Sequence, residues 1–183
     1  MIIHTPVTDA VLTRQTIREY KPAQISPDEL ETLVQAALRA PSGRNSQPIH
    51  ARFCQDAEAL RAMQIDFKNI VGWDTPVHTK SDVNPFYHNA PTFAFLFAQG
   101  DSRMEAGLMA ENLCIAAKGL GLGTVIVASV GALFADAACG PQWKRALRIP
   151  EDYQFLIGVG LGYPDEAPEM KPRNAEQIQV IEG

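Results

Sequence analysis

Apolar positions along this chain fall into blocks, some spaced as helix faces and some as strands. Leu30, Leu33, Val34, Ala37 and Leu38 recur at the spacing of one helix face. Ser26 supplies a cap, Pro27 suits the first helical position, Glu29 closes a capping box, and Pro41 stops the run. The alternation in Ile49-His50-Ala51-Arg52-Phe53 predicts a strand with one solvated face, and a further helix is predicted from Asp56 to Gln64. Phe93-Ala94-Phe95-Leu96-Phe97-Ala98 has no polar break and reads as a buried strand. A second long helix is expected from Ser102 to Lys118, opened by a capping box of Ser102 and Glu105. Small and apolar residues lie on nearly every side of it, which predicts burial on most sides, either at the centre of the core or in a subunit interface. Thr124–Ala128 and Phe155–Gly160 complete the strands. From Ile65 to Ala90 no period holds, so the stretch reads as a lid or as a part-helical excursion. Its aromatics Trp73, Phe86 and Tyr87 read first as core packing.

At 183 residues, with 46% hydrophobic and 20% charged side chains, the chain fits one soluble globular domain covering 1–183. A net charge of -5 argues against nucleic acid as a generic partner, and it makes local clusters of Arg and Lys stand out. Cys54, Cys114 and Cys139 are odd in number and form no CxxC pair, as expected of reduced thiols in the cytoplasm. Cys54 and Cys114 read as core, Cys139 as the exposed one. The N-terminus lacks the basic and apolar parts of a signal peptide, and no apolar run approaches the roughly 18 residues of a membrane span. His4, His50, His78 and His88 show no metal-ligand spacing, so no metal site is expected.

Gly119-Leu120-Gly121-Leu122-Gly123 follows a helix and precedes a strand, the reverse of the dinucleotide-binding order, so these glycines end a helix. No nucleophile elbow or acid–base pair is present; an enzyme built on this chain would rely on a cofactor for its chemistry.

Three polar clusters bear on what that cofactor is. In Arg14-Gln15-Thr16-Ile17-Arg18, an extended or a helical backbone would each put two guanidinium groups on one surface, which suits a phosphate monoester. Ala40-Pro41-Ser42-Gly43-Arg44-Asn45-Ser46-Gln47-Pro48 holds five hydrogen-bonding side chains between two prolines, amides and hydroxyls able to read the edge of a flat heterocycle. Its prolines bias Ala40 and Gln47 towards extended backbone, and Gly43 lets the main chain approach a ligand. Lys171-Pro172-Arg173 is a stiff cationic element after an acidic run. Solvated surface charge would account for either basic cluster alone, and an ordinary helix-to-strand turn for the loop.

Taken in order, these stretches resemble the FMN-dependent nitroreductase family over nearly the whole chain. Arg14 to Arg18 is similar to its Arg-x-Ser-x-Arg element, and Ala40 to Pro48 to its Ala-Pro-Ser-x-x-Asn-x-Gln-Pro loop. Gly121-Leu122-Gly123-Thr124 resembles the entry to the strand beneath the flavin. Gly162-Tyr163-Pro164 with Lys171-Pro172-Arg173 resembles the closing signature. The resemblance implies an α+β fold, a central mainly antiparallel sheet flanked by helices, in an intertwined homodimer whose 163–183 extension reaches over the partner. It implies FMN, with NADH or NADPH as transient donor and a small-molecule acceptor such as a nitroaromatic or quinone. Flavin fragmentation, reductive dehalogenation or simple FMN binding are the other activities the fold allows, and the 65–90 stretch is where such specificity would reside.

By position, Arg14, Lys171 and Arg173 would hold the phosphate with Thr16 assisting and Gln15 beside them, and Arg18 would meet the pyrimidine edge. Pro41, Ser42, Gly43, Asn45 and Gln47 would line the ring from the other subunit. Ala128 and Ser129, where the family often has glycines, would present backbone N–H groups to flavin N5.

Overall fold

The computed structural model describes residues 1–73 and 85–182. Among these, four strands form one antiparallel sheet in the order β1-β2-β4-β3, with β1 His50–Cys54, β2 Thr92–Ala98, β3 Gly123–Val127 and β4 Gln154–Gly162. The mainly antiparallel α+β architecture expected from the sequence is present. Because side chains alternate across a strand, β2 sends Phe93, Phe95 and Phe97 to one face and Ala94 and Leu96 to the other, all fully buried.

The phenylalanine face packs with Leu60, Met63 and Phe67 of α3 (Ala57–Val71), with α5 (Gly131–Ala135) and with Trp143 of α6 (Gly140–Ala146). On the opposite face, Leu33 and Ala37 of α2 (Pro27–Leu38) meet Ala106, Ala110 and Leu113 of α4 (Arg103–Gly119). A short α1 (Pro6–Thr13) lies against α4.

Gly158, Gly160 and Gly162 share one face of β4, opposite Val159 and Leu161. A Cβ at Gly158 would stand 2.4 Å from the Phe93 ring, so the missing side chain is what lets the aromatic layer lie against this strand.

Several expectations need correction. The third helix does not stop at Gln64 but continues to Val71, because Gln64, Phe67 and Lys68 extend its buried stripe. Residues 74–84, including His78, lie outside the described residues. Phe86 is core as expected, but Trp73 is 47% exposed. It sits beyond the helix end, its indole N–H on Asn69 and its ring 4.7 Å from the Lys68 ammonium. Ser102 caps nothing: its backbone (φ -127, ψ 34) is not extended, so its hydroxyl does not reach the first-turn N–H groups. Nor is α4 buried on most sides in the single chain. Its core stripe is Ala106, Ala110, Leu113, Cys114 and Ala117, while Met104 and Leu108 are exposed. Cys114 is buried, whereas Cys54 and Cys139 are both half-buried, Cys139 through its thiol contact with Asp136. The glycine run ends α4 as expected: Gly121 (φ 77) takes the left-handed position, and Leu122 N–H reaches back to Ala117 carbonyl at 2.8 Å. Among the described residues no helix is long and apolar enough to cross a membrane.

The start of α2 is tied to the end of the sheet. Ser26 and Glu29 form the expected capping box, and the Tyr163 hydroxyl donates to Glu29 Oε2 at 2.6 Å. That hydrogen bond, then those from Ser26, holds the Glu29 carboxyl below its ordinary range. A carboxyl lowered in the folded state adds stability above its unfolded-state value, near pH 4.3, and loses it as pH falls through the lowered folded value. Tyr163→Phe should therefore flatten the acid limb of a stability–pH profile measured by urea denaturation. Gly158→Ala should cost about 1–3 kcal/mol in the same assay at neutral pH, because the methyl must displace the Phe93 ring.

Candidate functional site

The backbone between α1 and α2 decides between the two geometries open to the first basic cluster. Arg14 leaves the helix (φ -61, ψ 132), Thr16 bridges Thr124 of β3 in parallel, and Ile17 N–H donates to the Thr124 carbonyl at 2.9 Å. The cluster is extended. Ile17 turns into the core against Gly123, where a Cβ would lie 2.8 Å from its side chain. Alternation then puts Arg14, Thr16 and Arg18 on the other side.

The segment after β4 doubles back along this stretch. Lys21 N–H donates to the Tyr163 carbonyl, Asp165 N–H donates to the Glu19 carbonyl, and Gln15 Nε2 donates to the Pro168 carbonyl, each at 2.9 Å. Glu166 Oε1 accepts from the backbone N–H of Arg18 and, at 3.3 Å, from that of Glu19. These contacts create a cavity of about 130 Å³ in which Arg14, Thr16 and Arg18 face Lys171 and Arg173, with Gln15, Pro168 and Glu169 also in its wall. Four cations oppose one carboxylate there. Such a donor set matches a dianionic phosphate monoester, with guanidinium forks for its oxygens. Arg14 is held at the rim of α4 by Glu111, Nε to Oε1 3.9 Å. Gln15 commits its amide N–H to the protein. Glu166 and Glu169 were not singled out from sequence, since nothing local marks an acidic residue as facing a segment almost 150 positions away.

The proline-bounded loop forms a second, more apolar groove of about 170 Å³, which includes Pro41, Ser42, Gln47, Pro48, Glu105 and Met109. Residues Gly43–Asn45 make one 3-10 turn. The expected extended backbone at Gln47 is not found: φ is 46, and its N–H is drawn onto Ser42 Oγ at 3.0 Å. Arg44 (φ 53) and Asn45 (φ 57) are also left-handed, whereas Gly43 is not, so the conformational demand in this loop falls on residues with side chains. Three such residues in one loop store strain of the kind concentrated at ligand sites. Gly43 and Asn45 border the groove's loop without lining the groove itself.

The cationic cavity and the loop groove share no lining residue within one chain. Ala128 and Ser129 follow β3 and line neither. Ser129 Oγ is buried without a hydrogen-bond partner, an unsatisfied group that costs about 1–3 kcal/mol.

Comparison with known proteins bears on the family and the fold. A model of the nitroreductase family matches residues 11–163, which carry every strand and the first of the two cationic segments. An NADPH-flavin oxidoreductase of Vibrio harveyi is 27% identical over 95% of this chain and 72% of its own length. A protein of Archaeoglobus fulgidus named as a putative NADH dehydrogenase/NAD(P)H nitroreductase is 28% identical over 85% of this chain and 84% of its own. Among solved structures, a nitroreductase from Bacteroides fragilis, crystallised with bound FMN, superposes with a TM-score of 0.89. It shares 22% identity, with 98% of this chain and 100% of that one covered, and at that identity the likeness speaks for the fold. With the matched region spanning most of the chain and the same architecture in a solved relative, this protein belongs to the nitroreductase family.

Proposed function

We propose that this chain is an FMN-dependent oxidoreductase that takes hydride from NADH or NADPH and passes electrons to nitroaromatic or quinone-like acceptors in a ping-pong cycle. The cationic cavity carries the reading, because Arg14, Lys171 and Arg173 converge from both ends of the chain on a space suited to one phosphate, with Arg18 in the same wall. The flavin named for the Vibrio relative, and the nicotinamide donor named for both it and the Archaeoglobus relative, support it.

FMN, when bound, supplies the ring that accepts hydride and stores the electron pair between half-reactions. Arg14, Lys171 and Arg173 hold its phosphate, with Thr16 as a neutral donor and Gln15 as the brace between the two segments. Arg18 is assigned to the pyrimidine edge, where a fixed cation stabilises negative charge that grows on reduction. Backbone N–H groups at Ala128 and Ser129 are assigned to the ring's central edge, where the extra methyl and hydroxyl narrow the space.

A homodimer is part of the reading. Within one chain the loop groove stands apart from the cationic cavity, so Pro41, Ser42, Gly43, Asn45 and Gln47 are assigned to the ring bound mainly by the partner subunit. Exposed Met104 and Leu108 on α4, Leu38 on α2 and Val7 and Val11 on α1 offer the apolar surface such a dimer needs. Residues 163–168 are bound to their own chain, so the reach over the partner is assigned to the tail beyond Arg173, where Ile178, Val180 and Ile181 are exposed. The three free cysteines accord with a cytoplasmic setting.

Purified protein should be yellow, and anaerobic NADH or NADPH should bleach it within the dead time or the first seconds of a stopped-flow trace. Protein that stays colourless after FMN is added and excess removed would rule the scheme out. Arg18→Ala should slow flavin reduction about tenfold or more while FMN affinity changes less than about threefold. Equal loss of both would contradict the role given to Arg18.

A further inference from the structure

Glu166 has no part in the chemistry assigned above, yet its carboxylate is turned onto the backbone of the phosphate-side segment. Oε1 alone accepts two N–H groups, from Arg18 and Glu19. A carboxylate beside a phosphate pocket would ordinarily weaken it by charge repulsion. Glu166, however, does not line the cationic cavity. It lines an adjoining cavity of about 230 Å³, with Ile17, Cys114 and Lys118, whose wall shares Arg14, Gln15 and Pro168 with the cationic cavity. The Glu166 carboxylate therefore meets the main chain of the segment outside the cavity on which Arg18, Lys171 and Arg173 converge.

Other anchors hold the segment on either side and at the Glu19 carbonyl, which accepts from Asp165 N–H. Ile17 N–H and its side chain are fixed on β3, and Lys21 N–H is fixed on Tyr163. Between them Arg18 and Glu19 are exposed, and their N–H groups meet Glu166. The same carboxylate also fixes the start of the segment that carries Lys171 and Arg173. Together with Gln15 Nε2 on the Pro168 carbonyl, this side chain ties the two halves of the cationic cavity to each other.

We propose that Glu166 is a positioning residue for the phosphate-binding side chains, holding the Arg18–Glu19 backbone so that Arg14 and Thr16 keep facing Lys171 and Arg173. The inference rests on the FMN reading of the cavity. Glu166 acts through an acceptor oxygen at the right reach, and its negative charge is incidental.

The test compares binding of FMN and of riboflavin, which has the same ring without the phosphate, by flavin fluorescence titration of the apoprotein. Wild type should prefer FMN. Glu166→Ala should weaken FMN binding about tenfold or more, the scale of losing two backbone hydrogen bonds, and riboflavin binding less than about threefold. Glu166→Gln keeps an acceptor oxygen and should bind FMN within about threefold of wild type. If Glu166→Ala does not fold, Glu166→Asp, one methylene short of the backbone, should show the same selective loss. Parallel loss of both ligands, unchanged FMN affinity in the Ala or Asp variant, or a Gln variant as damaged as Ala would each overturn the inference. Wild-type protein that binds neither ligand would instead overturn the cofactor reading beneath it.

Discussion

The arrangement of this molecule depends on an extended stretch, residues 14–21, wedged between strand β3 and the chain that leaves strand β4. On one side Ile17 N–H donates to the Thr124 carbonyl; on the other, Lys21 N–H and the Glu19 carbonyl pair with Tyr163 and Asp165. A segment held on both edges cannot coil, and its pleat sorts the side chains. Ile17 enters the core while Arg14, Thr16 and Arg18 face outward together. Glycine at position 123 is a condition of this, since any side chain there would collide with Ile17.

The same logic of omitted side chains runs through β4. Its alternate glycines let Phe93 lie flat on the sheet, and Val125 and Tyr20 close in further along. The aromatic layer that results, with edge-on contacts such as Phe86–Phe93 at 5.3 Å and Phe97–Phe134 at 5.0 Å, makes a stiff floor. The strand that forms this floor continues directly into Tyr163 and Pro164, so the cationic segment leaves from a rigid element rather than from a free loop.

Much of this was legible in the residues, for identifiable reasons. Helix α2 announced itself through Ser26, Pro27 and Glu29, which act on their own first turn. The central strands did so because Phe93 to Ala98 is too apolar to lie outside a core. Helices α5 and α6 were not legible, being five and seven residues long and so too short to show a period. Helix α1 is marked in the residues only by Thr5 and Pro6 at its start, its eight residues being too few to show a clear period. Ser102 had the right letters for a cap but the wrong backbone. At Gln47 a local rule for residues before proline lost to a hydrogen bond with Ser42. At the candidate site the cations could be named from sequence, whereas the carboxylates of Glu166 and Glu169 could not. Cationic clusters are unusual in an acidic chain and draw notice; a carboxylate placed by a contact across the whole fold does not.

The doubling-back of residues 163–173 along residues 14–21 has a temporal consequence. On a ribosome the earliest-made half of the anion pocket waits, unpaired, while the whole sheet is synthesised, and its counterpart arrives only after the last strand has left the exit tunnel. If the pocket takes a phosphorylated ligand as proposed, loading would be confined to chains whose topology is already closed. Truncated or stalled products would carry exposed guanidinium groups but no completed receptacle, and the ligand would discriminate finished molecules from unfinished ones.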